Sequence, residues 1–132
     1  MELTYRCPHC KAALNAGKNI ILAAIKTDDA NNKGLVLLHE KIGNYSVYIS
    51  PSLKIEKGEV VDFYCPVCHQ CLNAAKGEHL ASFIRIDQTG VESRIVISRI
   101  YGEQYTLHID AKKQVTSYGQ MVSRFVDPEW FL

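Results

Sequence analysis

The sequence predicts a mainly β protein built as a tandem duplication of one unit of about 60 residues, each copy a cysteine knuckle followed by a β-meander, related by a pseudo-twofold axis. Three observations predict it. First, Tyr5-Arg6-Cys7-Pro8-His9-Cys10 and Tyr64-Cys65-Pro66-Val67-Cys68 repeat one CPxC pattern, and each closes on the same Leu-Asn-Ala, at Leu14-Asn15-Ala16 and Leu72-Asn73-Ala74. Second, the likeness continues downstream. Lys18 matches Lys76, Leu22-Ala23 matches Leu80-Ala81, and Ile42 matches Ile100. Tyr45, Val47 and Ile49 then fall on Tyr105, Leu107 and Ile109, Ile55 on Val115, Gly58 on Gly119, and Val61 on Val122. Third, period-two alternation outweighs helical periodicity, as expected for strands with one buried face.

Each copy reads as a knuckle, a strand, a hairpin and a final strand. Turn residues punctuate the first copy at 28–34, at Gly43-Asn44 and at Lys57-Gly58. Between the last two, Tyr45, Val47 and Ile49 alternate with Ser46, Tyr48 and Ser50. The strand 59–64 then leads straight into the second knuckle, leaving no flexible linker. Helical turns are expected at 72–76 and 78–83. Turns follow at Thr89-Gly90, Gly102-Glu103 and 111–113, with an alternating strand over 105–110. The expected organisation is a single compact domain, 1–132, made of repeats 5–62 and 63–125 and a tail 126–132. Each half alone is of a size that buries a core only marginally, so the copies are expected to need each other.

Two CxxC half-sites supply one tetrahedral four-sulfur metal site, which singles out Cys7, Cys10, Cys65 and Cys68 as ligands of one structural Zn²⁺. The knuckles resemble those of zinc ribbons and rubredoxin-like folds, in which backbone N–H groups of a tight turn point at the sulfurs. The resemblance covers about eight residues at each site. Such knuckles place glycine after the second cysteine, where φ is positive, whereas Lys11 and His69 stand here. Iron suits the same four sulfurs and would make the protein an electron carrier, but more than a hundred residues lie outside the knuckles, which argues for zinc. A closed four-sulfur shell leaves no position for water or substrate, so hydrolysis at this metal is not expected.

Four thiolates on a divalent ion leave a formal charge of −2, which Arg6, Lys11, Lys18 and Lys76 are placed to offset; contact with phosphate is the alternative role for these four. Cys71 is the fifth thiol. It forms an overlapping CxxC with Cys68 but aligns with Ala13, so it reads as a non-ligand: a small packed side chain or, more pointedly, a redox thiol that pairs with Cys68 and expels the metal. His9 and His69 lie within or beside the knuckles and are redundant once four cysteines saturate the ion. Nothing in the spacing supports Cys71 as a nucleophile with His69 or His79 as base, and no GxGxxG, P-loop, HExxH or GxSxG element occurs. Tyr48 and His108 are expected on equivalent outer faces, where a ligand groove is conceivable.

Composition bounds the partners. With 15 Lys+Arg against 14 Asp+Glu, the net charge of +1 supplies no global field for nucleic acid or anionic membrane. Cys7 follows only six residues, which leaves no room for a secretory leader, and no apolar run approaches the ~20 residues of a membrane span. A cytoplasmic, reducing compartment is therefore expected, where five cysteines read as metal ligands plus one spare. The C-terminal Trp130-Phe131-Leu132 is apolar where tails are usually polar, and is expected to dock on the chain's own sheet or to capture a partner, including a second copy as a homodimer.

Together these readings predict a non-enzymatic cytosolic zinc-binding protein acting as an interaction or regulatory module, with a protein partner. The alternatives are a zinc-ribbon nucleic-acid or ribosome-associated binder and a rubredoxin-like iron carrier.

Overall fold

The computed structural model describes residues 4–74 and 79–119. It contains ten strands in two antiparallel sheets, and no helix among the described residues. In chain order these are β1 (Thr4–Arg6), β2 (Asn15–Ala16), β3 (Asn19–Lys26), β4 (Asp29–His39), β5 (Val47–Ile49), β6 (Val61–Tyr64), β7 (Leu80–Ile86), β8 (Glu92–Ser98), β9 (Tyr105–Ile109) and β10 (Val115–Gly119).

The strand before each knuckle pairs with a strand that follows the other knuckle. β1 lies on β7 in the sheet β1-β7-β8-β9-β10, and β6 lies on β3 in the sheet β2-β3-β4-β5. The two exchanges correspond in register: Arg6 faces Ile84 as Tyr64 faces Ala23. Further along, Val36, Leu37 and Leu38 face Ile49, Tyr48 and Val47, and Ile95, Val96 and Ile97 face His108, Leu107 and Thr106.

One core lies between the sheets. Alternation in β3 buries Ile20, Leu22 and Ala24, and alternation in β6 buries Val61 and Phe63; these meet Tyr5, Leu14, Leu72, Phe83 and Ile95 from the other sheet and the knuckles. Tyr5 packs edge-on against Phe83 with ring centroids 5.8 Å apart, and its buried hydroxyl donates to the Glu40 carbonyl. Burial pushes the Tyr5 phenol above its ordinary range. A second cluster, Leu80, Val96, Leu107 and Ile109, lies on the opposite face of the β7–β10 sheet.

The structure corrects several local expectations. Residues 80–83 belong to β7 rather than to a helical turn, because Leu80, Ala81, Phe83 and Ile84 supply apolar side chains to both faces of a central strand. The expected loop 28–34 shrinks to a tight turn at Thr27-Asp28. Asp29 then faces Lys26 while Lys33 faces Ile25, so residues 30–32 form a bulge. The bulge is held by reciprocal bonds between Asn32 and the Lys54 backbone, at 2.6 and 2.7 Å. Gly34 stays in the strand because a Cβ there would collide with the Ser50 and Ser52 hydroxyls.

The matched positions also shift. By ladder register Leu22 corresponds to Phe83 rather than to Leu80, since extra residues separate the second knuckle from β7. Val47 corresponds to Thr106 rather than to Leu107. β10 pairs with β9, whereas residues 51–59 form no strand on β5, so Ile55 faces the central core and Val115 the second cluster. β9 is buried on both faces rather than one.

Candidate metal centre

Each knuckle is built by the same hydrogen bonds. In the first, Cys7 N donates to Ala12 O at 3.0 Å, Lys11 N to Cys7 O at 3.0 Å and Leu14 N to Tyr5 O at 2.7 Å. In the second, Cys65 N donates to Gln70 O at 3.0 Å, His69 N to Cys65 O at 2.9 Å and Leu72 N to Phe63 O at 2.8 Å. Closing such a loop within five residues requires one left-handed residue. That residue is Lys11 in one knuckle and His69 in the other, each at φ 65°, so both side chains tolerate the conformation usually given to glycine.

The repeated asparagine completes each loop. Asn15 Oδ1 accepts from Tyr5 N at 3.2 Å, and Asn73 Oδ1 accepts from Phe63 N at 3.3 Å. The recurrence of Leu-Asn-Ala is the signal for this role, because in both copies the asparagine oxygen beside a buried leucine reaches back across the knuckle.

These turns bring Cys7, Cys10, Cys65 and Cys68 together, with all Sγ atoms within 4.8 Å of one another. Cys7 Sγ lies 3.7 Å from Cys68 Sγ, and Cys10 Sγ lies 3.7 Å from Cys65 Sγ. A tetrahedral centre with metal–sulfur bonds near 2.3 Å has sulfur–sulfur edges of about 3.8 Å. The donor set therefore fits a metal ion, and each close pair joins the first cysteine of one knuckle to the second of the other. Cys7 and Cys65 are fully buried, Cys68 is half-buried and Cys10 faces solvent.

Backbone N–H groups are aimed at the two buried sulfurs. His9 N points at Cys7 Sγ at 3.3 Å, and Val67 N and Cys68 N point at Cys65 Sγ at 3.3 and 3.4 Å. Burial opposes ionisation of Cys65, but these N–H groups and the Cys68 and Cys10 thiols outweigh it and hold Cys65 at about 7. Burial pushes Cys7 up. Cys68 receives a Gln70 N–H that favours its thiolate, yet desolvation and the three neighbouring thiols raise it to about 12. Four thiols this close do not all ionise by themselves. A cation in their midst is the group that lets them do so.

The remaining candidates separate. Cys71 is exposed and outside the four-sulfur cluster; it bridges Tyr64 as Ala13 bridges Arg6. Its carbonyl accepts from His9 Nε2 at 3.2 Å, a contact between the two knuckles that sequence reasoning missed. Arg6 is committed to the knuckle, since Nη1 donates to Lys11 O at 2.8 Å. Lys11 is exposed beside it, and Lys18 lies in the turn between β2 and β3. Lys76, Val122 and Trp130-Phe131-Leu132 lie outside the described residues. Tyr48 and His108 share no groove: Tyr48 is exposed opposite Leu37, while His108 is half-buried opposite Ile95, where burial and Arg85 lower its pKa.

A second polar constellation was not foreseen. Asp62 Oδ1 accepts from Arg99 Nη1 at 2.7 Å, Thr27 Oγ1 at 3.1 Å and Asn73 Nδ2 at 3.1 Å. Arg99 also donates to the Val61 and Leu80 carbonyls, at 2.9 and 3.2 Å. No pattern of spacing marks such a network, because its members come from four separate segments.

The sequence matches no known protein family, and no characterised protein or solved structure is significantly similar to it. Among the described residues no helix is long and apolar enough to cross a membrane.

Proposed function

We propose that this protein is a non-enzymatic interaction or regulatory module in which one structural zinc ion, held by Cys7, Cys10, Cys65 and Cys68, clasps two copies of a duplicated β unit. The observation that carries the reading is the four-sulfur cluster, with two sulfurs from each half and opposite edges of 3.7 Å. All four ligand positions of a tetrahedral ion are filled by protein, so the ion serves cohesion rather than hydrolysis. Duplication is supported by the matched hydrogen bonds of the knuckles and the reciprocal pairing of β1 and β6.

A bound ion would supply four metal–sulfur bonds and offset half of the thiolate charge. The chain's own residues do the rest: the knuckle N–H groups orient the sulfurs, Asn15 and Asn73 fix the loops, and His9 ties one knuckle to the other. Cys71 is reserved in this reading as an accessory thiol. A nucleic-acid role is disfavoured by the net charge of +1, which gives no global field for phosphate. Metal analysis of protein purified under reducing conditions tests the reading: zinc is expected, a red iron-loaded protein would turn the reading to electron transfer, and a salt-dependent complex with RNA would turn it to the binding class.

A further inference from the structure

The two sheets do not close on each other along their whole length. Between them lies a cavity of about 290 Å³, and none of the four clustered cysteines lines it. Its walls are apolar over most of their area. Leu38, Ile42, Ile49, Ile55 and Ile97 pack against the buried core yet remain only partly covered, because they face this space.

The mouth is framed by two matching turns. Asn44 N donates to Lys41 O and Glu103 N to Ile100 O, each at 3.1 Å, with Gly43 at φ 94° and Gly102 at φ 92°. Lys41, Lys57, Glu40 and Glu103 stand around the opening, two cations and two anions, so neither charge sign is selected. Arg99 also lines the space, but its guanidinium is held by Asp62.

Thr106 and Tyr45 place a bonded pair of hydroxyls in this wall, beside the polar Ser98 and Gln104. Thr106, 6% exposed, is the buried polar side chain among the described residues, and its Oγ1 lies 3.2 Å from the Tyr45 hydroxyl. Two hydroxyls carry two donors, and one donor is used in their mutual bond. The other remains for a group placed in the cavity. The Tyr45 hydroxyl already satisfies Thr106, so what the pair offers a guest is its second donor.

The geometry points to a binding site for an uncharged, apolar small molecule, about two fused rings in size and carrying one hydrogen-bonding oxygen, held between the sheets against Thr106 and Tyr45. Size sets the class: a dry apolar cavity of about 150 Å³ accepts benzene, and useful ligand pockets begin near 300 Å³. The balanced charge at the mouth sets its neutrality. This inference is independent of the metal reading.

The test is titration of the full-length, metal-loaded chain with 1-naphthol, followed by its intrinsic fluorescence and by equilibrium dialysis. Saturable binding of one molecule per chain is expected. Thr106→Val should weaken it about tenfold through loss of the hydrogen bond while leaving the fold intact. Val47 lines the mouth and is 41% exposed, so Val47→Trp should fill the opening without disturbing the core and abolish binding. Absence of saturable binding to the wild-type chain overturns the inference, as does unchanged affinity in both variants. A dimer that Val47→Trp dissociates, with no naphthol binding by the wild type, would assign the opening to a second copy and overturn it as well.

Discussion

Arg99 reaches the carboxylate of Asp62 at 2.7 Å, and in doing so joins β6, which feeds the second knuckle, to the end of β8 in the other sheet. The same carboxylate oxygen holds Asn73, which closes that knuckle. The ion pair is thus part of the site's support. Removing one partner of a part-buried, hydrogen-bonded pair leaves the other uncompensated.

Arg99→Ala is expected to lower unfolding free energy by roughly 2–3 kcal/mol, somewhat below the cost for a fully buried pair because both side chains retain solvent contact. Asp62→Asn keeps an acceptor oxygen and should cost less than Asp62→Ala. Urea denaturation at constant metal load measures both. Equal and negligible losses would show that the network carries no stability.

The knuckle asparagines give a matched pair. Asn15→Ala removes the acceptor for the Tyr5 N–H and should cost about 1 kcal/mol. Asn73→Ala removes the acceptor for the Phe63 N–H together with a donor to Asp62, and should cost about 1 kcal/mol or more. Denaturation midpoints of the two variants check both losses.

The left-handed residues permit a gain. Lys11→Gly and His69→Gly each relieve a positive-φ side chain and should stabilise the metal-loaded protein by up to about 1 kcal/mol, whereas a β-branched residue at either position should destabilise it. Thermal unfolding of the four variants reads the sign directly.

How far the sequence discloses this structure depends on whether a feature is local. The knuckles are legible because a metal half-site is written in a few contiguous residues, and the strand entering the second knuckle is legible because Val61 and Phe63 of β6 are buried while Asp62 and Tyr64 are less so. The register between the halves is not. Val47 and Leu107 are both apolar and align by type, but Leu107 belongs to a strand buried on both faces, so similarity of residue type misplaces the ladder by one. Similarly, 80–83 carries too many apolar residues in succession to reveal its period, because a doubly covered strand has none. The Asp62–Arg99 network and the intersheet cavity arise only when distant segments meet.

Acid should expose the Lys26–Glu59 pair, whose ends meet at 2.7 Å. The hydrogen bond from Lys26, with that from Glu56 N, holds the Glu59 carboxyl below the usual carboxylate range. A depressed folded pKa contributes stability that is present above the ordinary glutamate value and is lost as pH falls through the folded value. Glu59→Gln should therefore reduce stability at neutral pH and flatten its decline on acidification. Asp87, lowered chiefly by the Thr89 hydroxyl and by backbone N–H groups, should add to the same acid limb. Denaturation midpoints followed from pH 7 downward test the shape.

The central claim is the shared metal site, and the measurement that tests it most directly is metal stoichiometry by elemental analysis with native mass spectrometry. One zinc per wild-type chain is expected, retained in full by Cys71→Ser and lost from Cys65→Ser, with chelation loosening the wild-type fold. Metal-free wild-type protein prepared under reducing conditions, two ions per chain, or undiminished zinc in Cys65→Ser would contradict the account.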